Sequence, residues 1–273
     1  MQRPQSQPQD FPWWLVATVL IGVIVAIVTV SSDLYSQIFV TIIRGLGVTV
    51  RVTLIAFFLS SAMGLAVALM VLSNSIVIRQ IGRFYVEIFR GLPILVLLFW
   101  VAFVGAPALV WLWNWATTPL QIAGLIQPAV VRDFSLEWRA IIALSLAYSS
   151  FLAEIFRAGI QAVESGQIEA AKALGLSRFQ QFRLVVWPQA FRTIFPPYAS
   201  DFIAMVKDSS LVSVLGVADI TQLAKIYSSG SFRYFETYSI VAFVYLILTI
   251  GLSLALRRLE RRMREQRTTA PEH

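Results

Sequence analysis

Residues 11–32, 52–78, 91–131 and 237–256 contain no Asp, Glu, Lys or Arg. Each run reaches the ~20 residues that an α-helix needs to cross the hydrocarbon core of a bilayer. No water reaches the backbone inside that core, so a crossing segment must pair its own peptide groups, as a helix does. A soluble domain carries about 25% charged residues. This chain carries 14%, and the shortfall is concentrated in those runs. The expected fold is therefore all-α and integral to a membrane; buried helices of a soluble core are the weaker explanation.

The expected spans are residues 12–31, 46–72, 88–113, 138–160, 192–217 and 236–256, about six transmembrane helices. The fourth and fifth contain charges: Glu154 and Arg157 in one, Asp201, Lys207 and Asp208 in the other. Loop charge orients the set, because basic residues stay on the cytoplasmic side. Arg3, then Arg79, Arg83 and Arg90, then Lys172, Arg178 and Arg183, then Arg257, Arg258, Arg261, Arg262, Arg264 and Arg267 fall on one side. Arg44, Arg132, Lys225 and Arg233 fall on the other. Both termini are expected in the cytoplasm. The tail arginines suit an anionic lipid leaflet, which accounts for the net charge of +7 without nucleic acid. The apolar run Phe11–Val30 is longer than a signal-peptide core, and no A-x-A site follows it, so it reads as a retained span. Trp111, Trp113 and Trp115 fit an outer aromatic belt, and Pro107, Pro119 and Pro128 are expected to break up an external loop. There is no cysteine, and the only histidine is His273, which leaves neither thiolate nor imidazole for catalysis or metal ligation. The expected divisions are a cytoplasmic tail (1–10), an extra first helix with an external connector (11–45), a main transmembrane domain (46–256) with a cytoplasmic loop at 161–190, and a basic tail (257–273).

That loop reads as two short helices. Gly166 can open the first, with Glu169 near its positive end. Ala170, Ala171 and Ala173 favour helix and leave little bulk against a partner surface. Gly175 suits the left-handed residue that closes a helix. Ser177 with Gln180 forms a capping box for the second, and Pro188 marks a break. On physics alone, a helix lying on the membrane surface fits equally well.

The segment resembles the cytoplasmic loop of binding-protein-dependent ABC importer permeases. Their pattern is E-A-A, three residues, Gly, nine residues, then I-x-L-P. Here it stands as Glu169-Ala170-Ala171, Gly175 and Val185-Val186-Trp187-Pro188. Phe89-Arg90-Gly91-Leu92-Pro93, Ala153-Glu154-Ile155-Phe156-Arg157-Ala158-Gly159-Ile160, Pro188-Gln189-Ala190 and Lys207-Asp208-Ser209-Ser210-Leu211 are similar to the polar amino acid (histidine/glutamine permease-like) branch. The resemblance spans roughly residues 45–260 and implies a type I ABC importer transmembrane fold. It also implies that two permease subunits, identical or homologous, form the channel. Two ATPase subunits holding ATP-Mg would each accept one loop, and an external binding protein would deliver an amino acid. The residues assigned to coupling are then Gly166, Glu169, Ala170, Ala171, Gly175 and Pro188. No lysine lies in a G-x-x-x-x-G-K-[ST] loop, so no cofactor is expected on this chain and no residue is expected to be catalytic.

Charges within spans are costly and face protein or water. Glu154 and Arg157, three apart, can pair with each other. Asp201 and Asp208, seven apart, share a helix face. Asp201, Lys207, Asp208, Ser209, Ser210, Glu154, Arg157, Leu92 and Leu97 are the candidate lining of the substrate path. Structural ion pairs are the alternative for its charged members. Relatives commonly have Thr and Gln where Leu92 and Leu97 stand, and Tyr at Phe151, which implies a less polar channel wall here. An ion-gradient transporter, or an ABC permease for a different solute, are the rival readings.

Overall fold

The computed structural model describes residues 13–265. The expected tail 1–10 and Arg3, Arg267 and His273 lie outside the described residues. Helix α1 (Trp13–Ser31) is apolar on every side and matches the expected first span. The connector after it is itself a helix, α2 (Asp33–Ile43), which buries Ile38 and Ile42, and a short turn leads into α3 (Leu46–Val71).

The third expected span is divided. Helix α4 (Ile76–Gly91) takes its first residues, and the chain breaks at Leu92, which is extended with φ −91° and ψ 134°. That conformation is the one a following proline imposes. Helix α5 (Ile94–Trp100), a wider π turn (Val101–Gly105) and α6 (Ala106–Ile122) then continue as one rod. Pro107 and Pro119 do not break up a loop here. Pro107 lies in the first turn of α6 and Pro119 lies inside the helix, so only Pro128 falls in irregular chain.

Helix α7 (Leu136–Gln161) is capped by Ser135, whose hydroxyl accepts from the Trp138 amide. Near its start Arg139 is buried, and its guanidinium donates to the carbonyls of Phe134 (2.8 Å), Ala102 (3.2 Å) and Val131. A buried cation so held straps the loop before α7 to the π turn of the third span. After α8 (Ser165–Ala173) and α9 (Arg178–Gln181), a second π turn (Phe182–Val186) leads into α10 (Trp187–Asp208). A 3-10 turn (Ser209–Leu215), α11 (Ile220–Ser231) and α12 (Tyr234–Glu265) complete the described chain.

Among the described residues, four helical stretches are long and apolar enough to cross a membrane: Asp33–Val71, Ile94–Ile122, Leu136–Gln161 and Tyr234–Met263, with Val16–Ser31 a shorter apolar helix. Helix α10 carries Arg192, Asp201, Lys207 and Asp208 and is not among them, yet it packs antiparallel to α7. The main core lies between α3 and α7, where Val52, Ala56, Leu144 and Leu152 are fully buried. A second core joins α2, α11 and α12 through Ile38, Ile42, Ile220 and Ile240.

Close approach between these units depends on glycine. A Cβ on Gly45 would lie 2.4 Å from the Asp219 carbonyl carbon and 2.5 Å from the Ile220 nitrogen. Both are backbone atoms that cannot swing away. Gly45→Ala is expected to force α2–α3 off α11 and destabilise the protein by ~3 kcal/mol, the upper part of the range for overpacking. Thermal unfolding of the solubilised protein checks this; an unchanged midpoint would show that the contact yields.

Candidate coupling loop and substrate path

Helix α8 begins one residue earlier than its sequence suggests. Glu164 is its N-cap, Gly166 lies within the first turn, and Glu169 sits at mid-helix, away from the positive end. Its far end closes as expected. Gly175 has φ +74°. The Leu176 amide donates to the Ala171 carbonyl at 3.1 Å and the Gly175 amide to the Lys172 carbonyl at 2.9 Å, the bond pair of a Schellman stop. Ser177 and Gln180 form the expected capping box, at 3.3 and 2.8 Å. Pro188 makes no break; it sits in the first turn of α10, and helical chain runs on through the π turn.

This turn-and-helix unit is fixed to the body of the protein. Val163, Val186, Ala190 and Ile194 form a small core beneath it, and Gln189 donates to the side-chain oxygen of Gln167 and to the Val185 carbonyl. Gly159 lets α7 and α10 meet there: a Cβ would fall 2.2 Å from Ile194 Cγ1. Ala171 is buried at 4% exposure, so its small size serves packing within this chain. The open face includes Gly166, Glu169, Ala170, Lys172 and Ala173, and it ends in Leu174, which is 80% exposed. Sequence reasoning missed Leu174; its place directly before the stop glycine was the available signal.

The second region lies deeper. Helix α4 has three distinct sides, set by helical spacing. Gly82, Val86 and Phe89 pack inward, and Tyr85 Oη lies 2.7 Å from Ser149 Oγ, at the midpoint of α7. Val77, Ile81, Phe84 and Ile88 form an exposed apolar stripe, while Arg79, Arg83 and Arg90 form a basic one. The break at Leu92-Pro93 therefore occurs at about half the depth of α7. Leu92 is 40% exposed there, whereas Leu97 is 1% exposed and belongs to the core, so it lines no open path in this conformation.

Facing the end of α4, α7 presents a half-open polar face. The Arg90 guanidinium is 6.0 Å from the Phe151 ring centre. Glu154 and Arg157 pair at 2.6 Å, as their spacing predicts, and Arg157 also donates to Gln161 at 2.6 Å. On α10, Asp208 accepts a 2.7 Å hydrogen bond from the buried Tyr148 hydroxyl. One carboxylate oxygen of Asp201 is enclosed without a hydrogen-bond partner. Lys207 is exposed and pairs with neither aspartate. Ser209 is buried with its hydroxyl on the Val206 carbonyl, and Ser210 is half-buried. The structure thus ties Tyr148 to Asp208, a pair the sequence did not suggest, and places Leu97 in the core.

Residues 60–265 match the family described as binding-protein-dependent transport system inner membrane component. A probable amino-acid permease protein of Bacillus subtilis, YxeN, is 35% identical over 235 residues, 86% of this chain and 96% of that one. A putative glutamine transport system permease protein of Rickettsia typhi is 31% identical, covering 81% and 92%. Among solved structures, an amino acid ABC transporter with histidines is 36% identical with a TM-score of 0.67, covering 85% of this chain and 97% of that one. The MetNI methionine ABC transporter, at 21% identity and a TM-score of 0.62, shares the fold.

Proposed function

We propose a function on this premise: the chain belongs to the binding-protein-dependent transport system inner membrane component family. It is the permease subunit of an ABC importer that carries amino acids across a bacterial inner membrane, with both termini in the cytoplasm. Two ATPase subunits bind and hydrolyse ATP-Mg. A second permease subunit completes the channel, and an external binding protein hands over the amino acid.

The observation that carries this reading is the braced projection α8–α9. A surface that is to transmit motion must move as one piece with the spans. The core of Val163, Val186, Ala190 and Ile194, with the Gln189–Gln167 contact, fixes it to α7 and α10. ATP-driven closure of the ATPase dimer pushes on the face from Gly166 to Leu174 and thereby tilts the two spans. Coupling is mechanical, and no residue of this chain is catalytic.

The path runs past the break at Leu92-Pro93 and the polar face of α7. Charged groups within spans face protein or water and not lipid, so Arg90, Glu154 and Arg157 border a wet channel against the second permease. Tyr148 of α7, with Asp201 and Asp208 of α10, supplies hydrogen-bonding groups. Discontinuous helices at half depth are a recurring place for substrate sites. A tagged chain isolated from its native membrane in mild detergent is expected to bring an ABC ATPase and a second permease with it. A chain that purifies alone and drives uptake from an ion gradient would overturn the reading. An intact importer stimulated only by sugars would retain the architecture and refute the substrate class.

A further inference from the structure

One cavity has no occupant in the transport cycle just described. It holds about 430 Å³ at the end of the bundle that carries α8 and α9. Leu69 lies near the end of α3, Ile160 near the end of α7, and Trp187 begins α10. The lining is apolar apart from one charged side chain, Arg183. Arg183 is exposed and makes no hydrogen bond or ion pair with a described residue. A ladder of rings climbs from it along α10: Phe182 to Trp187 at 6.1 Å, Trp187 to Phe191 at 5.6 Å, and Phe191 to Phe195 at 5.9 Å.

Chemistry narrows the occupant. A peptide entering this cavity would bring amides and carbonyls that no wall group can pair, at a cost of a few kcal/mol each. A purely apolar filling leaves the guanidinium unused. An amphiphile with a phosphate at one end and a hydrocarbon chain at the other satisfies both parts, since guanidinium and phosphate match in charge and geometry. Aromatic side chains collect where such molecules meet water, and the cytoplasmic leaflet is the anionic one.

We propose that this cavity binds one anionic phospholipid of the cytoplasmic leaflet, its phosphate on Arg183 and an acyl chain in the cavity beside the ring ladder. The site spans two parts of the chain: Phe179 and Phe182 belong to the coupling segment, while Leu65 and Leu69 belong to α3. A bound lipid therefore ties the coupling segment to the spans and regulates ATPase-driven motion. The inference rests on the cytoplasmic placement of this loop and not on the identity of the transported solute.

The test uses the assembled importer in nanodiscs containing phosphatidylglycerol with a diazirine on its acyl chain. After irradiation, adducts are mapped by mass spectrometry. They are expected at Leu65, Leu69 and Phe182–Trp187. Loss of the charge-assisted contact in Arg183→Gln should reduce them by at least about fivefold. Arg183→Lys should restore them, and Leu69→Trp, which fills the cavity, should remove them. ATP hydrolysis should rise severalfold with the phosphatidylglycerol fraction in the unaltered importer and stay flat in Arg183→Gln. Equal labelling by a phosphatidylcholine probe, or labelling indifferent to Arg183→Gln, would overturn the site. So would cross-links from cysteines at positions 69 and 179 to another protein chain, which would make the cavity a subunit contact. The labelling reads lipid on this chain alone, so it decides the site even if the amino acid reading fails.

Discussion

Leu174→Asp is expected to separate this chain from its ATPase while leaving its spans folded. Leu174 stands 80% exposed at the tip of α8, beside the stop at Gly175. Nothing within the chain depends on its side chain, so thermal unfolding should be unchanged. In the proposed contact with the ATPase the same position would be closed off from water, where an unpaired carboxylate costs several kcal/mol. A loss of 2 kcal/mol, the threshold of an interface hot spot, weakens binding by about 30-fold. ATP-driven uptake should fall at least as far, and Leu174→Met should retain it. Ala171→Arg provides the contrast. Ala171 is buried, so a guanidinium there should lower the unfolding midpoint together with transport. Normal ATPase retention and uptake in Leu174→Asp would show that this tip is not the docking surface.

The distinction between positions 171 and 174 illustrates what the sequence conveyed. The spacing from Glu169 to Pro188 was enough to place a capped double helix and its left-handed glycine, because caps and stops are local chemistry. It could not say which alanine faces inward, since that depends on how α8 seats against α9 and the π turn after it. Charge-free runs located the spans for the same local reason. They failed at residues 76–91, where Arg79, Arg83 and Arg90 on one side of α4 hide a helix that packs on α3 and α7. They failed again at Pro107 and Pro119, which a local rule treats as breakers and a long apolar rod accommodates. The Glu154–Arg157 pair was legible from spacing. Tyr148 and Asp208 were not, because sixty residues separate them and only the antiparallel packing of α7 on α10 joins them.

That pair carries the second large expected effect. Asp208→Asn keeps an oxygen able to accept from Tyr148 but removes the charge, whereas Tyr148→Phe keeps the charge and removes the 2.7 Å hydrogen bond. Tyr148 is buried and Asp208 is half-buried at a depth where a carboxylate needs water, a cation or donors. If Asp208 meets the ammonium group of a passing amino acid, its charge matters more than its bond to Tyr148. Asp208→Asn should then reduce substrate-stimulated uptake by about 10- to 150-fold, the ~1.5–3 kcal/mol of a hydrogen bond to a charged group. Basal ATP hydrolysis and ATPase retention should remain. Tyr148→Phe should cost about tenfold or less, since Asp208 keeps its charge and gains access to water. A structural clasp predicts the reverse order. In that case Tyr148→Phe, which strands a half-buried carboxylate, would lower the unfolding midpoint more than Asp208→Asn, and transport would follow stability. Uptake by the two variants, set against their unfolding midpoints, therefore distinguishes a carboxylate that meets substrate from one that holds α10 to α7.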